Sequence, residues 1–406
     1  MKNINKKIKK IVYLDNASST KIEKEVLQVI SKSLKEDFYN SSAISEGGIS
    51  VNQKIKNSRN KIANLIFALP DEIFFTSGAT ESNNLAILGT LNNFTNIFIK
   101  PHIVSTKVEH ASVLEVLLSL EKENKIELTL LEVNEDGNLD IKELKKNLKE
   151  NTILVSIMYA NNEIGTIFDI KEIAKIIRHF RKNKNNNKNL PYLHTDATQA
   201  VNYLNMNTLS LGIDLLSFNA GKIYGPKGIG VLFKKREIEI KALLKGGDQE
   251  RGLRAGTLNA PLILGFEKAL EITNKIKVKE VARLTKLRNQ FYLKLQKVFQ
   301  KYNLKIRLNG DLEVRLPNNL NISIPKIPSD LFLVELSMRG IYLSEKSACK
   351  TGNKKNSHVL EALYKNKNQN LSSLRFSLGR ETKKKDLDFV IKSIDQILKK
   401  LQFWYL

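Results

Sequence analysis

The chain has 406 residues, 42% apolar and 27% charged, an ordinary balance for a soluble globular protein long enough to form two domains. A single cysteine excludes an intramolecular disulfide and fits a reducing compartment, and five scattered histidines offer no metal-ligand spacing, so no metal site is expected. The net charge of +24 raises a nucleic-acid partner, but the lysines are spread along the whole chain, often beside asparagine, and direct nucleic-acid binding is not expected.

Residues 1–10 are basic without the apolar run of a signal peptide, and no stretch approaches the roughly 18 apolar residues that span a bilayer. The expectation is a soluble, cytoplasmic protein with no membrane partner. Short apolar runs rich in β-branched residues then alternate with helical patterns. Strands are expected at 72–76, 102–105, 152–157, 192–195 and 215–218, with helices at 82–91, 112–123, 141–148 and 170–180. Such alternation predicts an α/β architecture, a mostly parallel sheet between helices, with ligands outside the carboxyl ends of the strands. The Lys/Asn tract 182–189 reads as a solvated loop insertion.

Beyond about residue 265 the pattern becomes a long charged helix at 268–302, strands near 313–315 and 320–324, and a closing helix at 383–401. The expected division is a large domain at 23–264 and a smaller α+β domain at 265–406, with 1–22 packed on the small one.

Four segments carry chemistry. Thr76-Ser77-Gly78-Ala79-Thr80-Glu81-Ser82-Asn83-Asn84 follows an apolar strand and opens a helix, so its backbone N–H groups can cradle a phosphate. The alternative is an ordinary turn with Thr80 or Ser82 as N-cap. In His194-Thr195-Asp196-Ala197-Thr198-Gln199 a carboxylate follows a buried strand; it suits a protonated ring nitrogen, or else caps a helix. Ser217-Phe218-Asn219-Ala220-Gly221-Lys222-Ile223-Tyr224-Gly225 carries Lys222 from an apolar strand into a loop, a setting that lowers an amine pKa and prepares a Schiff-base nucleophile. Against that reading, most lysines of this chain are merely solubilising. Finally, Cys349 sits in the polar, lysine-bearing stretch 344–356, where ammonium groups favour thiolate; a reactive thiol and a stray surface thiol fit that window about equally.

In this order the segments resemble the aminotransferase class V enzymes of the pyridoxal-phosphate-dependent transferase fold type I, and more narrowly cysteine desulfurases of the NifS/IscS type. The resemblance runs from Tyr13-Leu14-Asp15-Asn16-Ala17 to Arg380 and includes Asn161-Asn162-Glu163-Ile164-Gly165, Gln249-Glu250-Arg251-Gly252-Leu253-Arg254-Ala255-Gly256-Thr257, Ser347-Ala348-Cys349 and Arg375-Phe376-Ser377-Leu378-Gly379-Arg380. It implies that Lys222 holds pyridoxal 5'-phosphate covalently, that Asp196 pairs with the pyridinium nitrogen, and that Gln199 donates to the ring's phenolic oxygen. By the same resemblance His110 stacks on the ring and moves protons, Ala79, Thr80 and Asn219 lie at the cofactor phosphate, and Thr257 reaches the phosphate of a neighbouring subunit in a homodimer. Asn162 and Arg375 then hold the L-cysteine substrate, and Cys349, on a loop at about 343–357, takes its sulfur as a persulfide and leaves alanine. The spacing after Cys349 is similar to that of long-loop members, which hand sulfur to an iron–sulfur scaffold protein, with transfer-RNA thiolation as a second destination.

Three departures accompany the likeness. Asn219-Ala220-Gly221 stands where the family has Ser-x-His before the lysine, which points to weaker cofactor binding; Asn40 to Glu46 differs from the family's Asn-Pro-x-Ser-x-x-His; and Lys346 replaces a glycine. The sequence given also stops without the extended tail that long-loop members use against the scaffold. Another fold-type-I reaction, selenocysteine cleavage or transamination, and a non-catalytic binding subunit are the alternative readings.

Overall fold

The computed structural model describes residues 10–184, 189–344, 357–365 and 372–402. Cys349 lies outside the described residues, as do most of its expected loop and 185–188 of the Lys/Asn tract.

Seven strands form the main sheet in the spatial order Ile73–Thr76, Gly230–Lys234, Leu215–Asn219, Tyr192–Asp196, Thr152–Ser156, His102–Thr106, Glu127–Leu131. All five strands expected of this half belong to it. Every residue of His102–Thr106, Thr152–Ser156 and Tyr192–Asp196 is buried, the result of covering a parallel sheet on both faces, and the polar side chains among them pair across strands, as His102 with Thr152 and His194 with Ser156 at 2.8 Å do. Gly230–Lys234 was not expected, and it runs antiparallel to both neighbours. Its first residue must be glycine: a Cβ on Gly230 would lie 2.6 Å from the backbone of Gly78, so any side chain would push the strand away from the turn that opens the next helix.

Helices Ala79–Phe94, Ala111–Lys122, Ile141–Asn147 and Ile170–Lys184 alternate with the strands, as the sequence predicts. Two more, Lys24–Glu36 and Glu46–Ile66, precede the sheet and pack on a 41-residue helix, Ala260–Gln300. Asn259 caps that helix by accepting from Leu262 N–H at 3.1 Å. The helix starts eight residues before the expected 268 and runs through the expected boundary at 264–265. Gly265 lies on its packed face, where a Cβ would approach Ile30 to 2.6 Å.

The last third holds a three-stranded antiparallel sheet, Ser372–Ser377, Asn319–Ile324 and Arg307–Leu308, and the closing helix Lys384–Lys400. Val12–Tyr13 pairs in parallel with Ile341–Tyr342, tying the N-terminal segment to this part of the chain. The expected strand at 313–315 does not form. Asp311 Oδ1 accepts from the N–H groups of Glu313 and Val314 at 2.6 and 2.7 Å, and this local turn competes with a ladder; only Arg315 makes a single bridge, to Thr166. No helix among the described residues is long and apolar enough to cross a membrane.

Candidate active site

Asp196 ends one strand and pairs in register with Ser217 of the next, which continues to Asn219 and a 3-10 turn, Ala220–Lys222. The carboxyl ends of two adjacent parallel strands thus carry Asp196, Asn219 and Lys222. Lys222 Nζ donates to Ser18 O. Burial lowers its pKa below the ordinary lysine value, and the Arg375 guanidinium adds to the effect, against the opposing charges of Asp15 and Asp196.

Arg375 arrives from the antiparallel sheet. Nη1 donates to Asn162 O at 2.9 Å, and Nη2 to Asp15 Oδ1 at 2.9 Å and Ser18 Oγ at 2.6 Å, while Nε is buried without a partner among the described residues. The segment Asp15–Ser18 therefore bridges Lys222 and Arg375. Sequence reasoning missed Asp15 and Ser18 as site residues, although Asp15 lies within the quoted string 13–17.

One Asp196 oxygen accepts from Thr198 N–H at 2.8 Å, the cap-like contact anticipated as an alternative, and the other accepts from Asn83 Nδ2 at 2.8 Å. Gln199 Nε2 donates to Ala17 O at 2.9 Å. His110 is the N-cap of Ala111–Lys122: its Nδ1 accepts from Ser112 N–H at 3.1 Å and lies 2.8 Å from Ser112 Oγ.

The helix Ala79–Phe94 has Gly78 as its N-cap with no side chain closing it, so neither Thr80 nor Ser82 caps it. Ser82 Oγ instead pairs with Thr76 Oγ1 at 2.8 Å. Glu81 accepts from Ser77 N–H at 2.6 Å and is held by Arg254 at 2.8 Å, which leaves Ala79 and Thr80 in an open first turn whose N–H groups and dipole favour an anion. Arg254 belongs to the string ending at Thr257, which is exposed on this chain.

Nine buried side-chain polar atoms have no hydrogen-bond partner among the described residues, and six belong here: Asn83 Oδ1, Glu109 Oε2, Asn162 Oδ1, Thr198 Oγ1, Asn219 Oδ1 and Arg375 Nε. Buried polar groups without partners are costly, so their concentration fits a polar ligand that completes them. An anion at the open helix turn, a cationic ring nitrogen at Asp196 and an aldehyde at the Lys222 amine match pyridoxal phosphate group by group. Gly221 is not imposed by crowding. An added Cβ would meet nothing closer than Lys227 Cγ at 3.5 Å, so the missing histidine leaves room rather than strain.

Glu109, next to His110, is buried, and its pKa is raised by burial from the ordinary 4.5 to about 8, with Met158 N–H and Thr106 Oγ1 both bonded to Oε1 at 2.9 Å. The unfolded chain loses this proton near 4.5 and the folded chain near 8, so stability from Glu109 is fully present below about 4.5 and is lost as the pH rises to about 8. Glu109→Gln is expected to flatten this slope, making the variant more stable than the wild type at alkaline pH by on the order of 2 kcal/mol. Thermal melts across that range check it; an unchanged gap between variant and wild type at all pH values contradicts it.

The profile of the aminotransferase class-V family matches residues 12–390, and the chain belongs to that family, whose members depend on pyridoxal phosphate. Relatives within the family are named cysteine desulfurases. The cysteine desulfurase IscS of Dictyoglomus turgidum is 41% identical over 395 residues, covering 97% of this chain and 96% of that protein. Among solved structures, a NifS-like protein superposes with a TM-score of 0.87 at 32% identity, covering 97% of this chain and all of the other. A structure of SspA in complex with cysteine superposes with a TM-score of 0.75 at 30% identity, covering 90% of this chain and 98% of that one.

Proposed function

We propose that this chain is a cytoplasmic cysteine desulfurase that binds pyridoxal phosphate at Lys222 and supplies sulfur for iron–sulfur cluster assembly, with transfer-RNA thiolation as a second outlet. The observation that carries the reading is the Asp15–Ser18 bridge, which sets a desolvated amine and an arginine fork side by side. Bound there, pyridoxal phosphate supplies the electron sink that cleavage of a carbon–sulfur bond requires.

The chain's own residues have separable tasks. Lys222, with its lowered pKa, is more often a free amine near neutrality than an exposed lysine is, the state needed for attack on an aldehyde. Asp196 is proposed to keep the ring nitrogen protonated, Thr198 N–H and Asn83 fixing its carboxylate, and Gln199 to reach the phenolic oxygen. Ala79, Thr80 and Asn219 take the phosphate. Arg375 and Asn162 orient the L-cysteine carboxylate, and His110 moves a proton. Thr257, exposed on the single chain, completes the neighbouring site in a homodimer.

Cys349 is the proposed sulfur acceptor. Its thiol takes the substrate sulfur atom, the substrate β-carbon takes the proton, and the products are a persulfide and alanine. Covalent geometry supports its reach: Cys349 lies five residues past Ser344, whose carbonyl accepts from Arg375 N–H at 2.9 Å, so it stays within about 18 Å of Ser344. On the far side Ser357 Oγ donates to Glu163 and His358 Nε2 bonds Glu109 O at 2.9 Å, beside Asn162 and His110. With Cys349→Ser, alanine release from L-cysteine should fall by on the order of 10²-fold or more while the cofactor still binds. Unchanged release would contradict the persulfide on Cys349.

A further inference from the structure

A continuous hydrogen-bond chain joins Asp196 to His110 through the side chains of Asn83 and Ser112. Asn83 Nδ2 stands 2.8 Å from Asp196 Oδ2 and 2.8 Å from Ser112 Oγ, and Ser112 Oγ stands 2.8 Å from His110 Nδ1. Asn83, Ser112 and Asp196 are all buried, so water does not compete for these groups.

The direction of each bond follows from donor inventory. The Asn83 amide turns its NH2 towards Asp196 Oδ2, which accepts. The second hydrogen of that NH2 goes to Ser112 Oγ, which thereby acts as acceptor. The hydroxyl proton of Ser112 is then available to one partner, His110 Nδ1. The same ring nitrogen also accepts from Ser112 N–H at 3.1 Å, a backbone group that cannot reverse its role. Two donors thus converge on Nδ1, and the neutral ring must carry its proton on Nε2.

We infer that Asn83 and Ser112 are positioning residues that lock His110 in the Nε2-protonated tautomer and tie its orientation to Asp196. The inference rests on the proposed function for its consequence: neutral His110 carries its proton on Nε2, and it cannot act as a base through Nδ1. The carboxylate that faces the ring nitrogen and the imidazole that moves the proton are then held as one unit. With the NH2 committed to both neighbours, Asn83 Oδ1 is left buried without a partner among the described residues, open to the polar ligand the site fits.

The test reads the imidazole nitrogens directly by long-range ¹⁵N–¹H NMR on the full chain without substrate, so its outcome is independent of whether L-cysteine is turned over. The expected result is the Nε2–H tautomer for His110 in the wild type. Ser112→Ala should shift the Nδ1 resonance towards that of an acceptor with fewer donors, and Ser112→Thr, which keeps the hydroxyl, should restore it. Asn83→Leu should weaken pyridoxal phosphate binding about tenfold in absorbance titrations. An Nδ1–H tautomer in the wild type would overturn the inference, as would an Nδ1 resonance unmoved by Ser112→Ala together with wild-type cofactor affinity in Asn83→Leu.

Discussion

Lys222→Ala and Lys222→Arg should both lose desulfuration of L-cysteine by on the order of 10³-fold or more, because each removes the only kind of group at that position able to attack an aldehyde. The pair separates chemistry from charge. Arginine keeps a cation beside Ser18 O and Asp15 but cannot deprotonate, whereas the Lys222 amine is brought towards neutrality by burial and by Arg375. Both variants should keep the wild-type far-ultraviolet spectrum, since one hydrogen bond to a backbone carbonyl is worth only about 1 kcal/mol. Measuring alanine release and the visible absorbance of added pyridoxal phosphate checks the expectation. If Lys222→Arg kept more than about a tenth of the activity, the amine would be an electrostatic element and not a nucleophile.

Arg375→Leu is expected to lower kcat/KM for L-cysteine by about 10²- to 10³-fold, mostly through KM, from the cost of about 2–5 kcal/mol for removing one partner of a buried charge pair. Two losses coincide there. The substrate carboxylate loses its fork, and Asp15, which accepts from Nη2 at 2.9 Å, loses its counterion. Arg375→Lys keeps the charge but not the planar fork, so it should recover only part of the loss. Steady-state kinetics with L-cysteine distinguish the two, and a Leu variant with unchanged KM would remove Arg375 from substrate binding.

The main sheet was legible because parallel strands covered on both faces carry β-branched and apolar cores, as Ile153-Leu154-Val155 does within Thr152–Ser156. Gly230–Lys234 escaped notice since it begins at the end of a glycine-bearing loop and runs antiparallel to its neighbours. At the site, Lys222, Asp196 and the phosphate turn stood out through local strings. The contacts that organise them did not: Asn83 meets Asp196 across 113 positions and Arg375 meets Asp15 across 360, distances over which no sequence spacing carries a signal. The turn at Asp311 defeated the expected strand for the opposite reason, since two short side-chain bonds outweighed a weak alternating pattern.

The central claim is that sulfur leaves L-cysteine for Cys349 while Lys222 and Arg375 hold the substrate. Mass spectrometry of the intact holoenzyme and of its peptides after incubation with L-cysteine tests it most directly. The account predicts one added sulfur atom on the peptide bearing Cys349, removed by a thiol reductant and absent in Lys222→Ala. Stoichiometric alanine release with Cys349 unmodified at every time point would contradict it.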